Sequence, residues 1–408
     1  MLKQLHAKHF LQLHKKQAVA SHPTPPDSKD RKMSEKNGFH LIPSLVDIEA
    51  AQWNAIAGGQ ACLSHAFLST LESTGCVGGK TGWTPQHATL WHDGELVAAM
   101  PLYLKVHSYG EYVFDWAWAD AYARNGLDYY PKWLSALPFC PIPGTRLFGR
   151  STDDRKTLLA AVLALAADSG LSSFHLLFPT EEEGLWMREA GMMLRNGVQF
   201  HWHNAGYADF DAFLSHLNHD KRKKIRQERR RAGGHGLSIR WLDGHTATAS
   251  DWAFFYRCYA TTYALHRSTP YLTPDFFTTL ARDMPDGVRL LLAERDGEAL
   301  AGAFYLCDGE ALYGRYWGAT EPLPFLHFEL CYYQAIDYCI RHGLSRFEGG
   351  AQGEHKLSRG LEPVVTRSAH WIADRRFRDA VDRFLEQEST GIQFYLDELS
   401  ERSPFRNT

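Results

Sequence analysis

Residues 347–360 read FEGGAQGEHKLSRG and place Glu348, Gln352, Glu354, His355, Lys356 and Arg359 among four glycines. Glycines interleaved with charge at the end of a strand describe a loop whose backbone can come close to a ligand. Carboxylate, imidazole and ammonium groups together supply what amide formation needs. A base takes the proton of the attacking amine, and cationic donors stabilise the oxyanion of the tetrahedral intermediate. Glu348, Glu354, His355, Lys356 and Arg359 are therefore the candidate catalytic groups. Lys356 and Arg359 are expected to be exposed and to contribute little to stability.

Three further segments carry polar groups in unusual settings. Residues 325–342 (FLHFELCYYQAIDYCIRH) predict a helix that is apolar on nearly all sides yet holds His327, Glu329, Tyr333 and Gln334. Because buried polar groups need partners, His327 and Gln334, seven residues apart, are expected to share a polar network, with Tyr316 and Trp317 just upstream. Residues 113–148 combine Asp115, Asp120, Tyr122, Tyr129, Tyr130 and Lys132 with three tryptophans, Trp116 among them. So polar an aromatic stretch fits one wall of a cleft that clasps a sugar or peptide. Residues 210–232 predict one amphipathic helix, capped by Asp209 or Asp211 and stopped by Gly233-Gly234, with Arg222, Arg226, Arg229 and Arg230 on an exposed face. Such a face can neutralise phosphates of RNA. The string Arg231-Ala-Gly-Gly-His-Gly236 imitates an acyl-CoA pyrophosphate loop, but it follows a helix and leads into a strand, the wrong context for that duty.

The elements that must position these groups recur. Asp93-Gly94-Glu95 and Asp296-Gly297-Glu298 each join two apolar runs, a strong hairpin signal. Each hairpin is followed by a helix that ends in G-L-S-x-F, at Gly170 and at Gly343, and each is preceded by a similar short helix, FLSTL at 67–71 and FFTTL at 276–280. This ordered agreement predicts a duplicated α/β unit. The expected organisation is a disordered extension at 1–38, a first domain at 39–203 with an aromatic insertion at 107–150, and a second at 204–400. The fold class is mixed α/β, two tandem domains, each a twisted mixed sheet flanked by helices.

Composition narrows the function. With 408 residues, net charge -3 and 44% hydrophobic residues, the chain is a folded protein of two-domain size. Eight of its 44 Lys and Arg residues fall within 220–231, so its one basic strip lies on an otherwise acidic surface. Seven cysteines without a C-x-x-C pair give neither a zinc signature nor a disulfide framework, so no metal and a cytoplasmic location are expected. No apolar run reaches membrane-spanning length. Nucleophile-elbow, H-E-x-x-H and Walker patterns are missing from the sequence, which removes the corresponding hydrolase and nucleotidase readings.

The strings FDWAWADAY, GLDYYPK, PFCPIPGTRL, YWG, LHFELCYYQAI, FEGGAQGEHKLSRG and SAHWI resemble the FemAB-like family of the GNAT acyltransferase superfamily over about residues 40–390. The resemblance implies tandem GNAT-like domains with the site between them. It implies transfer of an aminoacyl or acyl group, without a cofactor, from an activated donor such as aminoacyl-tRNA to an amine on a peptidoglycan-precursor peptide. It also implies that Lys356 lies near precursor phosphates and that the basic helix meets tRNA. The alternatives are an acyl-CoA-dependent transferase acting on a small amine and a non-catalytic module that binds cell-wall peptide or RNA.

Overall fold

The computed structural model describes residues 37–351 and 353–406. The N-terminal extension up to residue 36 and Gln352 therefore lie outside the described residues. In chain order the strands are β1 (Gly38–Ile42), β2 (Trp83–Pro85), β3 (His87–His92), β4 (Glu95–Met100), β5 (Tyr103–Lys105), β6 (Lys132–Ser135), β7 (Phe148–Gly149), β8 (Ser173–Leu177), β9 (Met193–His203), β10 (Ser238–Leu242), β11 (Val288–Arg295), β12 (Glu298–Cys307), β13 (Ala311–Ala319), β14 (Arg346–Glu348) and β15 (Glu362–Ile372). They form a four-stranded sheet, β1-β3-β4-β7, and an eleven-stranded sheet, β10-β11-β12-β13-β14-β9-β15-β8-β6-β5-β2.

Both D-G hairpins form. Asp93 and Gly94 have φ of 50° and 79°, Asp296 and Gly297 of 53° and 81°, the paired positive φ of a tight turn that matches strand twist. Each hairpin also carries a bulge at the same distance from its turn, between Leu90 and Trp91 and between Ala293 and Glu294. The first hairpin lies in the short sheet and the second in the long one. The reason is local: Pro101 has no N–H to give a ladder, so β4 stops at Met100 and the chain re-enters the long sheet as β5. In both halves an antiparallel run gives way to a parallel pair, β6 with β8 and β13 with β14, where a helix ending in glycine returns the chain. Strand β6, which lies inside the insertion expected at 107–150, is thus the counterpart of β13 in the repeated unit.

The halves then exchange their last strands. β9, which follows β8 in the first half, pairs with β14 of the second, while β15 of the second pairs with β8 of the first. β9 and β15 run antiparallel at the centre, with His201 opposite Glu362, Gly197 opposite Thr366 and Met193 opposite His370. Trp202 lies opposite Phe347 as Trp371 lies opposite Phe174, and this match of the two halves places a pseudo-twofold axis at the Gly197–Thr366 pair. The echoed helices His65–Ser73 and Pro274–Asp283 pack on one another, with Phe67 edge-on to Phe276 at 6.1 Å. The chain can be cut near residue 203, but the sheet does not divide there.

Two helix expectations need correction. Residues 210–232 form two helices, Phe210–His216 and His219–Gly233, because Leu217 is extended and buried and Asn218 caps the second helix by accepting from Lys221 N. Residues 325–342 begin as helix at Leu326 and contain a π turn at Glu329–Tyr333. The residue added by a π turn rotates everything beyond it, so the seven-residue spacing of His327 and Gln334 does not align them.

Candidate functional site

A groove of about 250 Å³ lies over the pseudo-twofold axis. Its floor is β9 from Arg195 to Gln199 and β15 from Thr366 to Ser368. Tyr112, Val113 and Phe114 line one side, Glu388 and Ile392 of the helix Arg375–Glu401 another, and Ala351 of the glycine loop also borders it. Close pairing at the axis requires little side chain, and Gly197 supplies that: a Cβ there would lie 3.0 Å from Thr366 Oγ1. Arg195 is held by two 2.7 Å bonds to Glu388 and a third to the Phe114 carbonyl, which ties the side walls to the floor.

The glycine loop meets this groove from below. Glu348, at the end of β14, accepts from Arg346 Nε at 3.0 Å through one oxygen. Its other oxygen accepts nothing among the described residues and lies 3.8 Å from His201 Nε2. Burial pushes this carboxyl up to about 7, against the pull of Arg346. His201 in turn contacts Gln199, a residue of the groove lining whose amide nitrogen donates to the Pro141 carbonyl. Lys356 is 2% exposed, has no carboxylate partner among the described residues and donates to the Gly350 carbonyl at 2.8 Å, next to Ala351. Burial lowers its ammonium to about 8.

The remaining loop charges are committed elsewhere. Arg359 is 3% exposed, pairs with the buried Glu228 at 3.1 Å and lies over the Phe328 ring at 3.5 Å. It and Lys356 are therefore buried rather than exposed, because the chain after Gly353 turns inward as the 3-10 helix Glu354–Arg359. Glu354 faces Tyr395 and Arg402 at the surface. His355 bonds Tyr332 at 2.9 Å.

The buried helix makes two polar contacts instead of one network. Glu329 accepts from Gln334 and Arg229, and Tyr333 donates to Glu228. His327 packs against Trp317 and Tyr332, and burial lowers its imidazole to about 4. Tyr316 donates to the Phe139 carbonyl, joining the halves. On the basic helix, Arg226 and Arg230 are exposed and Arg222 is half-buried. Arg229 is not on that face: it turns in toward Glu329 and over Phe210.

Of the aromatic stretch, Trp116 is partly exposed, and Asp120 pairs with Arg124 on the surface with both more than 60% exposed. Tyr122 is buried against Tyr129 and Phe377. Asp115, Tyr129 and Lys132 are enclosed in the first half with Glu111, His175 and His370, and Tyr130 borders them. None of the three lines the groove. Sequence reasoning passed over Gln199, His201, Ser368, His370 and His175. For all but His175 the signal was present in the paired strings QFHWH and SAHWI at 199–203 and 368–372, which the exchanged strands align.

Acyl-CoA would need N–H groups where a parallel strand turns into its helix. Between β13 and Leu326 the chain reads Thr-Glu-Pro-Leu-Pro-Phe, with two prolines and no glycine, and the N-terminus of the matching helix, Thr152–Asp168, is capped by Ser151 and carries Asp153 and Asp154. Neither place is a phosphate cradle. The string at Arg231–Gly236 lies at the C-terminal end of its helix, where carbonyls are presented. Among the described residues no cluster of His, Cys, Asp or Glu fits a metal, the seven cysteines are unpaired, and no helix is long and apolar enough to cross a membrane.

Comparison with known proteins agrees with this architecture. The C-terminal domain of a putative lysylphosphatidylglycerol synthetase from Agrobacterium fabrum is similar at TM-score 0.51 and 10% identity, covering 84% of this chain and 95% of that one. The L-PGS of Bacillus licheniformis matches at 0.50 and 12%, covering 85% and 98%. FemX matches at 0.49 and 11%, covering 78% and 93%. No match was found among curated proteins. Residues 44–407 match the FemAB-like family of peptidoglycan biosynthesis and recognition, and the chain, two repeated α/β units joined by exchanged strands, belongs to that family.

Proposed function

We propose that this protein is an acyltransferase that moves an aminoacyl group from aminoacyl-tRNA to an amine of a peptidoglycan-precursor peptide held in the axial groove. The observation that carries the reading is the groove itself, which spans both halves of a FemAB-like chain and is bordered by the loop that follows Glu348. An extended peptide fits a floor of two strands walled by Tyr112 and Phe114. Glu348, poised near neutrality at the root of the loop that borders the groove, is the candidate group for exchanging a proton with the reacting centre. Lys356 fixes the Gly350 carbonyl and so the position of Ala351. The exposed Lys223, Lys224, Arg226, Arg230 and Arg231 form the surface offered to tRNA.

Prolines at 322 and 324 favour this donor over acyl-CoA. The test is incubation of the protein with a radiolabelled aminoacyl-tRNA pool and a lysine-bearing muropeptide. Label should pass to the muropeptide. Label that stays on tRNA while acetyl-CoA releases its thiol would replace this donor with acyl-CoA.

A further inference from the structure

The first half holds a buried chain of hydrogen bonds that the glycine loop does not touch. It starts in the groove floor at Ser368, whose Oγ is 2.8 Å from His370 Nε2. His370 Nδ1 is 2.8 Å from His175 Nδ1, and His175 Nε2 is 2.9 Å from the Tyr129 hydroxyl. Tyr129 donates to Asp115 at 2.6 Å, and Asp115 also accepts from Lys132. Lys132 reaches Glu111 and Ser108, each at 2.8 Å, and Ser108 contacts the hydroxyl of Tyr130 at 2.8 Å, which is half-buried.

The bond directions are fixed by what each group can do. An ionised Asp115 only accepts, so Tyr129 gives its proton to Asp115. Tyr129 oxygen then accepts from His175 Nε2–H, and His175 Nδ1, lacking a proton, accepts from His370 Nδ1–H. His370 Nε2 is left to accept from Ser368. Every link from Ser368 to Asp115 donates away from the groove, Lys132 donates to Asp115 from the other side, and both imidazoles are neutral. Burial agrees, lowering His175 to about 3 and His370 well below its ordinary value. At the far end burial raises Glu111 to about 7 and lowers Lys105, 4.0 Å away, to about 7. Two groups near neutrality can take up and release a proton there.

The equivalent positions in the second half form no such chain. His175 is replaced across the pseudo-twofold by Glu348, and His370 by His201, which contacts Gln199 at 3.2 Å but stays 3.8 Å from the carboxyl. One half is continuous and the other is interrupted.

We infer that Ser368, His370, His175, Tyr129 and Asp115 form a proton relay from the axial groove to the Lys132–Glu111–Lys105 cluster and, by Ser108 and Tyr130, to solvent. This rests on the groove being the site of amide formation. There an ester R–CO–OR′ and an ammonium R″–NH3+ give R–CO–NH–R″, R′–OH and one proton. The C–O bond breaks, the C–N bond forms, the alkoxide leaves with one amine proton, and the remaining proton must depart from an enclosed floor. Ser368, His370, His175 and Tyr129 each pass on the proton they hold as they accept the next, so none of the four becomes charged; the ionised Asp115 takes the last proton, and Lys132 gives one of its own to Glu111 as it recovers that proton from Asp115.

The test reads the relay without any substrate. In the 15N-labelled full chain, long-range 1H–15N spectra should show His370 protonated at Nδ1 and His175 at Nε2, both neutral at pH 6. Exchange of the His175 Nε2–H with water should be fast for so buried a group and should slow at least tenfold in Tyr129→Phe. Ser108→Ala, at the outer end and with fewer buried bonds, should slow it in the same direction if Tyr129→Phe fails to fold. Opposite tautomers, a charged His175 at pH 6, or exchange unchanged in both variants would overturn the relay, whatever the transfer assay gives. In that assay, where transfer is found, His175→Phe should lower the rate and abolish the solvent isotope effect while leaving peptide KM unchanged; an unaltered isotope effect would equally overturn it.

Discussion

Lys356 offers the sharpest physical test, because a buried ammonium without a carboxylate should make the fold weaker than it could be. Its value falls from 10.5 to about 8, and at about 1.4 kcal/mol per unit this is a cost of about 3 kcal/mol to the folded state. The sign follows from linkage. Below pH 8 the amine is charged in both states and the cost is complete; between 8 and 10.5 the folded form sheds its proton first, and the cost disappears above 10.5. Replacement by Met keeps the length and the apolar stem and loses one bond to Gly350, worth about 1 kcal/mol. Lys356→Met should therefore be more stable than the native protein by about 2 kcal/mol at pH 7. It should lose that advantage by pH 10.5, as measured by urea unfolding across the range. Transfer should fall, since nothing then fixes the Gly350 carbonyl beside the groove. A variant less stable than native at pH 7, or a difference that does not change with pH, would refute the reasoning.

Other expectations follow from the same packing. Arg359→Ala leaves Glu228 buried and unpaired and should cost about 3–5 kcal/mol in thermal or urea unfolding, whereas its loss would be nearly silent if the residue were a surface ligand. Glu348→Gln removes a carboxyl raised to about 7, so the decline in stability as pH rises from about 4.5 to 7 should flatten. Any limb of the pH–rate profile near 7 should then be set by Glu111 and Lys105 alone. Arg222, Arg226 and Arg230 changed together to Glu should abolish tRNA binding and its salt dependence, measured by filter binding at several salt concentrations. Arg229→Glu should instead destabilise the protein, because it sets a second carboxylate against Glu329.

The duplicated unit was legible in the sequence because D-G turns and G-L-S-x-F helix ends are local signals. Each depends on the backbone conformation of one or two residues, and each appears where expected. The exchange of β9 and β15 was not legible, since pairing partners far apart in sequence leave no local mark. With the exchange went the groove, whose floor is made where β9 and β15 pair. The loop after β14 was recognised by its charges, but exposure was misjudged: Arg359 and Lys356 look like surface residues until Glu228 and the Gly350 carbonyl are brought to them. The single amphipathic seam at 210–232 failed at Leu217, whose extended backbone lets two short helices bury their own faces. Asp115, Tyr129 and Lys132 were singled out as unusual for a core, and they are buried, as links in a chain of hydrogen bonds and not as a cleft wall.

The central claim is that the acceptor peptide lies in the groove on the pseudo-twofold axis. A lysine-bearing muropeptide carrying a photoreactive diazirine, irradiated with the full chain and mapped by mass spectrometry, tests it most directly. Labels should fall on the Tyr112–Phe114 wall, on Arg195–Gln199 or on Thr366–Ser368, and excess unlabelled muropeptide should suppress them. Labelling confined to the basic helix or to the surface around Glu354, with the groove unmarked, would contradict the account.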